Sequence, residues 1–419
     1  HTQALAKERL IGIGFTNAPA SIAPLGGIKP VVGTNPISVA VYNKGSIKIL
    51  IDQSASVVAK SEISVRAKSG EAIPTGWAFG PNGEDTTDPN IALKGTMAPT
   101  GGYKGFGIGL FVEMIMAESQ EERNKVLKKL QELQKSDFIG ILKAMEGYKV
   151  TIRLLDPPLH EFLPNPEELK DRMNKENDKS KKTQRVLDRA RELAEINPMM
   201  GHRGVRVAIT YPEIYKMQIT AVFEAAAELA KKKVNAKPQI MIPQVGSLAE
   251  LNYIKSIYDD VKKEIEQKYK KKFKINFGTM LEVVRACLTS DELADTAEFF
   301  SFGTNDLTQA VFSFSREDAE GKFLPEYMEK ELLETSPFQS IDVNGVGHLM
   351  KIGIRQGRDI KKDLEIGICG AHGGDPNSIK FCHSANVSYV SASPHRIPIA
   401  IVAAAQAAIE QKKTKKSKK

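Results

Sequence analysis

Polar and apolar positions fall in alternating blocks along most of this chain. Short, nearly continuous apolar runs are separated by long charged stretches with helical spacing. The runs are GFGIGL (105–110), VTIRLLD (150–156), GVRVAIT (204–210), QIMIPQV (239–245), INFGTMLEV (275–283), FFSFG (299–303), EIGICG (365–370) and VSYVSASP (387–394). Runs of this kind are strands buried on both faces of a parallel sheet. The spacing between them predicts helices at 119–146, 166–194, 212–232, 247–269 and 290–297. Eight such strands alternating with helices predict an α/β fold, a closed (β/α)8 TIM-type barrel over 107–410. The stretch 166–194 is so polar that it reads as a solvated excursion from that barrel.

Residues 1–106 have a different texture. They are rich in Gly and Pro, with short apolar runs at 11–17, 37–41 and 47–52 and turn signals at PNG (81–83) and TGG (100–102). This predicts a separate, partial α/β unit with many loops. Residues 411–419, dominated by KKTKKSKK, are expected to be a disordered lysine-rich tail.

The predicted barrel strands carry polar residues at or beside their downstream ends. In a parallel barrel those ends share one mouth, where the active site lies. Glu282 and Asp306 are hard oxygen ligands suited to Mg²⁺. Arg153 and Arg203 offer planar forks for carboxylate or phosphate. Asn305 adds an amide donor, and Cys369, in the Gly-rich ICGAHGGD, a thiol able to exchange a proton. Together they suit a small anion whose enolate is stabilised by metal and arginine. Each has a plainer alternative. Arg153 can pair with Asp156, His202 can be a satisfied turn residue, and Cys369 can be a buried inert thiol. Cys287 and Cys382 read as packing residues.

Composition narrows the class. The 419 residues are 41% hydrophobic and 26% charged, ordinary for a globular protein, and no apolar run approaches the length of a membrane span. No signal peptide is evident, and a chain opening on His1 is expected to be a fragment or a processed product. Three cysteines, none in a CxxC, predict neither a disulfide framework nor a zinc site and fit a reducing, cytoplasmic setting. The net charge of +8 is carried largely by six lysines of the tail, leaving +2 elsewhere, so no nucleic-acid partner is expected.

Four strings, VTIRLLDPPLHEFLP (150–164), NPMMGHRGVRVAITYPEIYKMQ (197–218), FFSFGTNDLTQ (299–309) and GICGAHGGDPNSIKFCH (367–383), carry a resemblance. Residues 107–409 closely resemble the C-terminal pyruvate/phosphoenolpyruvate-binding barrel of the pyruvate, phosphate dikinase family. The resemblance implies interconversion of phosphoenolpyruvate and pyruvate with Mg²⁺, the phosphoryl group being exchanged with a phosphohistidine. Arg153 and Arg203 then match the arginines that hold the phosphoryl group and pyruvate, Glu282 and Asp306 the Mg²⁺ ligands, and Asn305 and Asp306 the substrate contacts. Cys369 matches the acid that protonates C3 of the enolate. A homodimer is also implied. No ATP-grasp region or phosphohistidine motif is found, so a carrier domain would have to act in trans. Departures from the family's usual strings are Ala371 in place of the glutamate of ICGEHGG, Val283-Val284 before Arg285, His395 and Ile401 near the end, and a shortened first-strand motif.

GTNPISVAV (33–41), IDQSASVVAK (51–60), IPTGWAFGPNGEDTTDP (73–89) and GGYKGFGIGLFVEM (101–114) resemble the malate/L-lactate dehydrogenase type 2 family instead. That resemblance implies a nicotinamide-dependent 2-hydroxyacid oxidoreductase, with Asp52 and Lys104 matching positions near its cofactor. The segment bearing that family's catalytic histidine is not found, so no dehydrogenase turnover is expected. The segment 105–118 reads as either family, which makes a fusion the simplest account. A catalytically incomplete fusion that only binds ligand is the third alternative.

Overall fold

The computed structural model describes residues 11–15, 20–22, 32–33, 37–43, 46–53, 56–98, 103–176 and 180–417. The chain divides into two compact units, one of residues 1–134 and 159–196, the other of residues 135–158 and 197–419.

In the first unit, strands β1 (Ile11–Phe15), β4 (Ile37–Asn43) and β5 (Ser46–Gln53) form an antiparallel sheet in the order β1-β4-β5. A second sheet runs β3-β2-β7-β6, from β2 (Ala20–Ile22), β3 (Val32–Gly33), β6 (Ala78–Phe79) and β7 (Thr96–Met97). The run GFGIGL, expected to be a strand, is helical and belongs to Tyr103–Met116. Leu110 and Met114, one helical turn apart on its inner face, are fully buried. The polar stretch 166–194 forms two helices, Pro166–Glu176 and Lys181–Leu193, the second capped by Ser180. Their few apolar residues, Leu169, Val186 and Leu187, close on Met116 and Met173.

The second unit is built on six parallel strands: β8 (Lys149–Arg153), β9 (Lys237–Ile242), β10 (Asn276–Leu281), β11 (Phe299–Gly303), β12 (Glu365–Cys369) and β13 (Tyr389–Val390). Neighbours in the sheet follow chain order from β8 to β13, the topology of successive right-handed crossovers through helices. Six of the eight predicted strands are therefore strands, and the curled parallel sheet is that of a TIM-type α/β fold. The run GVRVAIT is the other exception: Val205–Thr210 is a helix. Its V-R-V alternation imitates a strand. However, Gly204 sits at φ +58°, ψ −129°, where the chain reverses, and the next helix begins at Pro212.

The sheet is covered by helices whose ends are written in the sequence. Leu248–Tyr269 opens with a capping box, Ser247 accepting from Glu250 N while Glu250 reaches back to the Ser247 backbone. Pro212–Lys231 carries Pro at its first position and is buried along most of its length. Fully buried Phe223 and Phe277 pack with Tyr258 where these helices meet the sheet, Phe300 and Phe302 face the helix Val346–Ile360, and Phe299 packs on the other face with Met241 and Met280. The last helix, Ile397–Ser417, runs on into the lysine-rich segment.

Candidate active site

Parallel register brings the downstream ends of five neighbouring strands, β8 to β12, together. Arg153 ends β8 beside Met241 of β9, and Cys369 ends β12 beside Gly303 of β11. Glu282 follows β10 directly, and Asn305 and Asp306 open the helix Thr304–Phe312 after β11.

The centre of this end is an ionic cluster around Arg203. Its Nη2 donates to Asp156 Oδ2 at 2.5 Å. Its Nη1 and Nη2 lie 3.3 Å from Asp306 Oδ1 and Oδ2. Arg153 Nη1 reaches the same Asp156 Oδ2 at 3.3 Å. Arg203 is 6% exposed and Asp156 4% exposed, whereas the Arg153 side chain is 46% exposed and has an open side. Burial pulls the Arg203 pKa down, but its bonds to Asp156 and the charge of Asp306 outweigh this and hold it raised, permanently protonated.

Glu282 is 2% exposed. Its Oε1 accepts from Gln244 N at 2.7 Å, and its Oε2 is buried with no hydrogen-bond partner among the described residues. Burial first, then the negative charges of Asp306 and Asp156, push its pKa well above the usual carboxylate range. Gly303 makes the space for it, since a Cβ there would come within 2.3 Å of Glu282 Oε2. An orphaned carboxylate oxygen crowded by two further carboxylates is short of positive charge, and Mg²⁺ fits that deficit. Among the described residues no group of three or more His, Cys, Asp or Glu could hold a metal.

Cys369 is partly buried, with Sγ 3.6 Å from the Phe302 carbonyl. Burial and the charge of Glu282 push its thiol up to about 11 against the opposing pull of Arg153, so it carries its proton at neutral pH. Asn305 Oδ1 accepts from Ala371 N at 3.1 Å, which ties the Cys369 turn to the Asp306 helix. The same two segments are joined by Thr304, whose Oγ1 lies 2.9 Å from Cys369 O. Fully buried His372 sits behind them, Nδ1 2.8 Å from Thr304 Oγ1 and Nε2 2.9 Å from Pro337 O. Burial lowers its pKa, so it is a neutral structural residue.

Arg153, Arg203, Glu282, Asp306 and Cys369 thus gather at one end of the sheet, with Asn305 on the turn that joins them. Sequence reasoning treated Asp156 only as an alternative partner of Arg153; it is the hub that joins both arginines. The signal was available, an aspartate ending the apolar run TIRLLD. Tyr215 Oη donates to Leu155 O at 2.6 Å and Gln218 Oε1 accepts from Leu155 N at 2.9 Å, fixing the loop that carries Asp156. His202 lies 2.6 Å from Thr210 Oγ1 and stacks on Tyr211, the satisfied turn residue of the plainer reading. Cys287 and Cys382 are buried. The side chains of Asp52 and Lys104 lie outside the described residues.

Residues 90–409 match the family model described as PEP-utilising enzyme, PEP-binding domain. Residues 1–143 match the model of malate/L-lactate dehydrogenase. Pyruvate, phosphate dikinase of Entamoeba histolytica is 50% identical over 306 residues, which are 72% of this chain and 35% of that protein. The pyruvate, phosphate dikinase of Clostridium symbiosum is 47% identical over 301 residues, 72% of this chain and 34% of its own. The chain therefore spans about a third of the length of these curated relatives. Among solved structures, a dehydrogenase from Sinorhizobium meliloti shares 38% identity, covering 27% of this chain and 33% of its own with a TM-score of 0.26. On the match over residues 90–409, the chain belongs to the family of the PEP-binding domain of PEP-utilising enzymes.

Proposed function

We propose that the parallel-sheet unit binds phosphoenolpyruvate and pyruvate and interconverts them, as the pyruvate half of a dikinase-type phosphotransfer. The supporting observation is the convergence of Arg153, Arg203, Glu282, Asp306 and Cys369 at the downstream ends of neighbouring parallel strands. In the direction of pyruvate, the bond between phosphorus and the enol oxygen breaks and the phosphoryl group passes to a histidine nitrogen of a carrier domain acting in trans. The enolate left behind takes a proton at C3 from the Cys369 thiol. Burial keeps that thiol protonated at neutral pH, the state a carbon acid–base step requires.

Arg153, half exposed beside the cluster, is the cation free to meet the substrate's carboxylate or phosphoryl oxygens. Arg203 touches both aspartates and so fixes where Asp306 points. Asn305, whose Oδ1 is held by the Ala371 backbone, turns its amide donor toward the substrate carboxylate in this reading. Glu282 and Asp306 would hold Mg²⁺, which when bound supplies positive charge to the substrate's developing enolate.

Calorimetry with oxalate, a planar dianion shaped like the enolate, tests the reading. Binding that requires Mg²⁺ and is lost in Glu282→Gln is expected. Absence of Mg²⁺-dependent oxalate binding in a folded protein sinks the proposal.

A further inference from the structure

At the opposite, upstream end of the sheet lies a cavity of 520 Å³, within the size range of small-molecule sites. Its wall includes Lys149, Lys237, Lys271, Lys272, Lys274 and Gln239. Two of these lysines are set side by side by the sheet, and a third precedes the next strand. Lys149 of β8 and Lys237 of β9 are Cα partners. Lys274 lies two residues upstream of Asn276, as Lys237 lies two upstream of Gln239, and Asn276 pairs with Gln239. Parallel strands run about 4.8 Å apart. Like charges at matched positions of adjacent strands oppose the pairing.

Protein carboxylates answer only part of this charge. Lys149 pairs with Glu365, and Lys272 with Glu266 at 2.9 Å. Lys237, Lys271 and Lys274 make no ion pair among the described residues. Lysines at helix C-termini complement the carbonyl dipole there, which accounts for Lys271 just beyond the helix Leu248–Tyr269. It does not account for Lys149, Lys237 and Lys274, which stand where strands begin. On the inner wall, Gln239 is 3% exposed. Its Oε1 accepts from Thr151 Oγ1 at 3.1 Å, while Nε2 has no hydrogen-bond partner among the described residues. The wall thus combines Lys237 and Lys274, which no ion pair among the described residues answers, with the leftover amide donor of Gln239.

We propose that this cavity is a second ligand site, distinct from the ionic cluster at the other end of the strands, and that it takes a small multivalent anion of the phosphoanhydride or polycarboxylate class. The anion lowers the repulsion along the lysine row, so its binding also steadies the upstream ends of β8, β9 and β10.

Titration calorimetry on the full chain in EDTA tests this, with inorganic pyrophosphate as one probe and citrate as the other. At least one is expected to bind with a Kd of about 1 mM or tighter. The Lys237→Gln/Lys274→Gln double variant, altered only at exposed positions, should bind about tenfold or more weakly, whereas Arg153→Gln should bind as the parent does. Preference for pyrophosphate identifies a phosphate ligand, and preference for citrate a carboxylate one. Three results overturn the proposal: no binding of either probe, equal binding by the double variant, or a loss confined to Arg153→Gln. Tighter binding of a single-stranded oligonucleotide than of either probe also overturns it, by assigning the lysines to an open surface.

Discussion

The Arg203 guanidinium sets one Nη atom against each carboxylate oxygen of Asp306, both at 3.3 Å, across 103 residues of sequence. Because Arg203 is also bonded to Asp156, its plane is fixed from two sides, and Asp306 is aimed by a group that cannot titrate. Stability and chemistry at this end of the sheet therefore depend on the same few atoms.

Asp156→Asn tests the hub. The buried Arg203 would lose its shortest charged partner and keep only the fork to Asp306. The expected cost is about 3 kcal/mol of unfolding free energy, since half of a buried ion pair is removed. Urea denaturation measures it, and a change below about 1 kcal/mol would show that Asp306 alone satisfies Arg203.

Gly204→Ala should be destabilising although it adds one methyl group. Its backbone, at φ +58° and ψ −129°, occupies a region closed to side-chain-bearing residues. The new Cβ would lie 2.7 Å from Gln244 Cβ and 3.1 Å from Asp156 Oδ1. A loss of about 2 kcal/mol or more is expected, read as a lower thermal midpoint. An unchanged midpoint would mean that the turn before Val205 is shaped differently.

Cys369→Ala separates binding from proton transfer. With Mg²⁺ in D₂O, the parent should exchange deuterium into the methyl group of pyruvate, and the variant should not, while oxalate binding is retained. Exchange at the parental rate in Cys369→Ala would remove the thiol from the reaction.

Acid should loosen this unit through His372. Burial depresses its pKa below the ordinary 6.5, so the folded state resists a proton that the unfolded chain accepts. The sign follows: the contribution is fully present above pH 6.5 and is lost as the pH falls from 6.5 toward the depressed folded value. The slope from this one group is at most about 1.4 kcal/mol per pH unit. Denaturation curves across this range, compared with His372→Gln, should show a shallower dependence in the variant. Identical slopes would place the acid sensitivity elsewhere.

Six strands and three of the long helices, Gln120–Ala144, Pro212–Lys231 and Leu248–Tyr269, could be read from the chain because each is specified locally. FFSFG and EIGICG are apolar on both faces over a strand's length, and Leu248–Tyr269 carries its own capping box. The polar residues that gather at one end were also legible, because a parallel sheet puts every downstream strand end on one side once the strands are known. Local pattern failed where alternation was present without a strand. GVRVAIT obeys the strand period, yet Val205–Thr210 is a helix between the left-handed Gly204 and Pro212.

What the sequence by itself determined is therefore the order of the elements and the chemistry at their ends. Only the tertiary structure decided who meets whom: that Asp156 joins Arg153 to Arg203, that Glu282 keeps one oxygen unanswered among the described residues, that His372 is sealed behind Thr304, and that Lys149 and Lys237 begin adjacent strands in step. The reason is physical. Periodicity and capping are settled within a few residues, whereas ion pairing, desolvation and strand register depend on groups up to 103 residues apart whose meeting is fixed only by the tertiary fold.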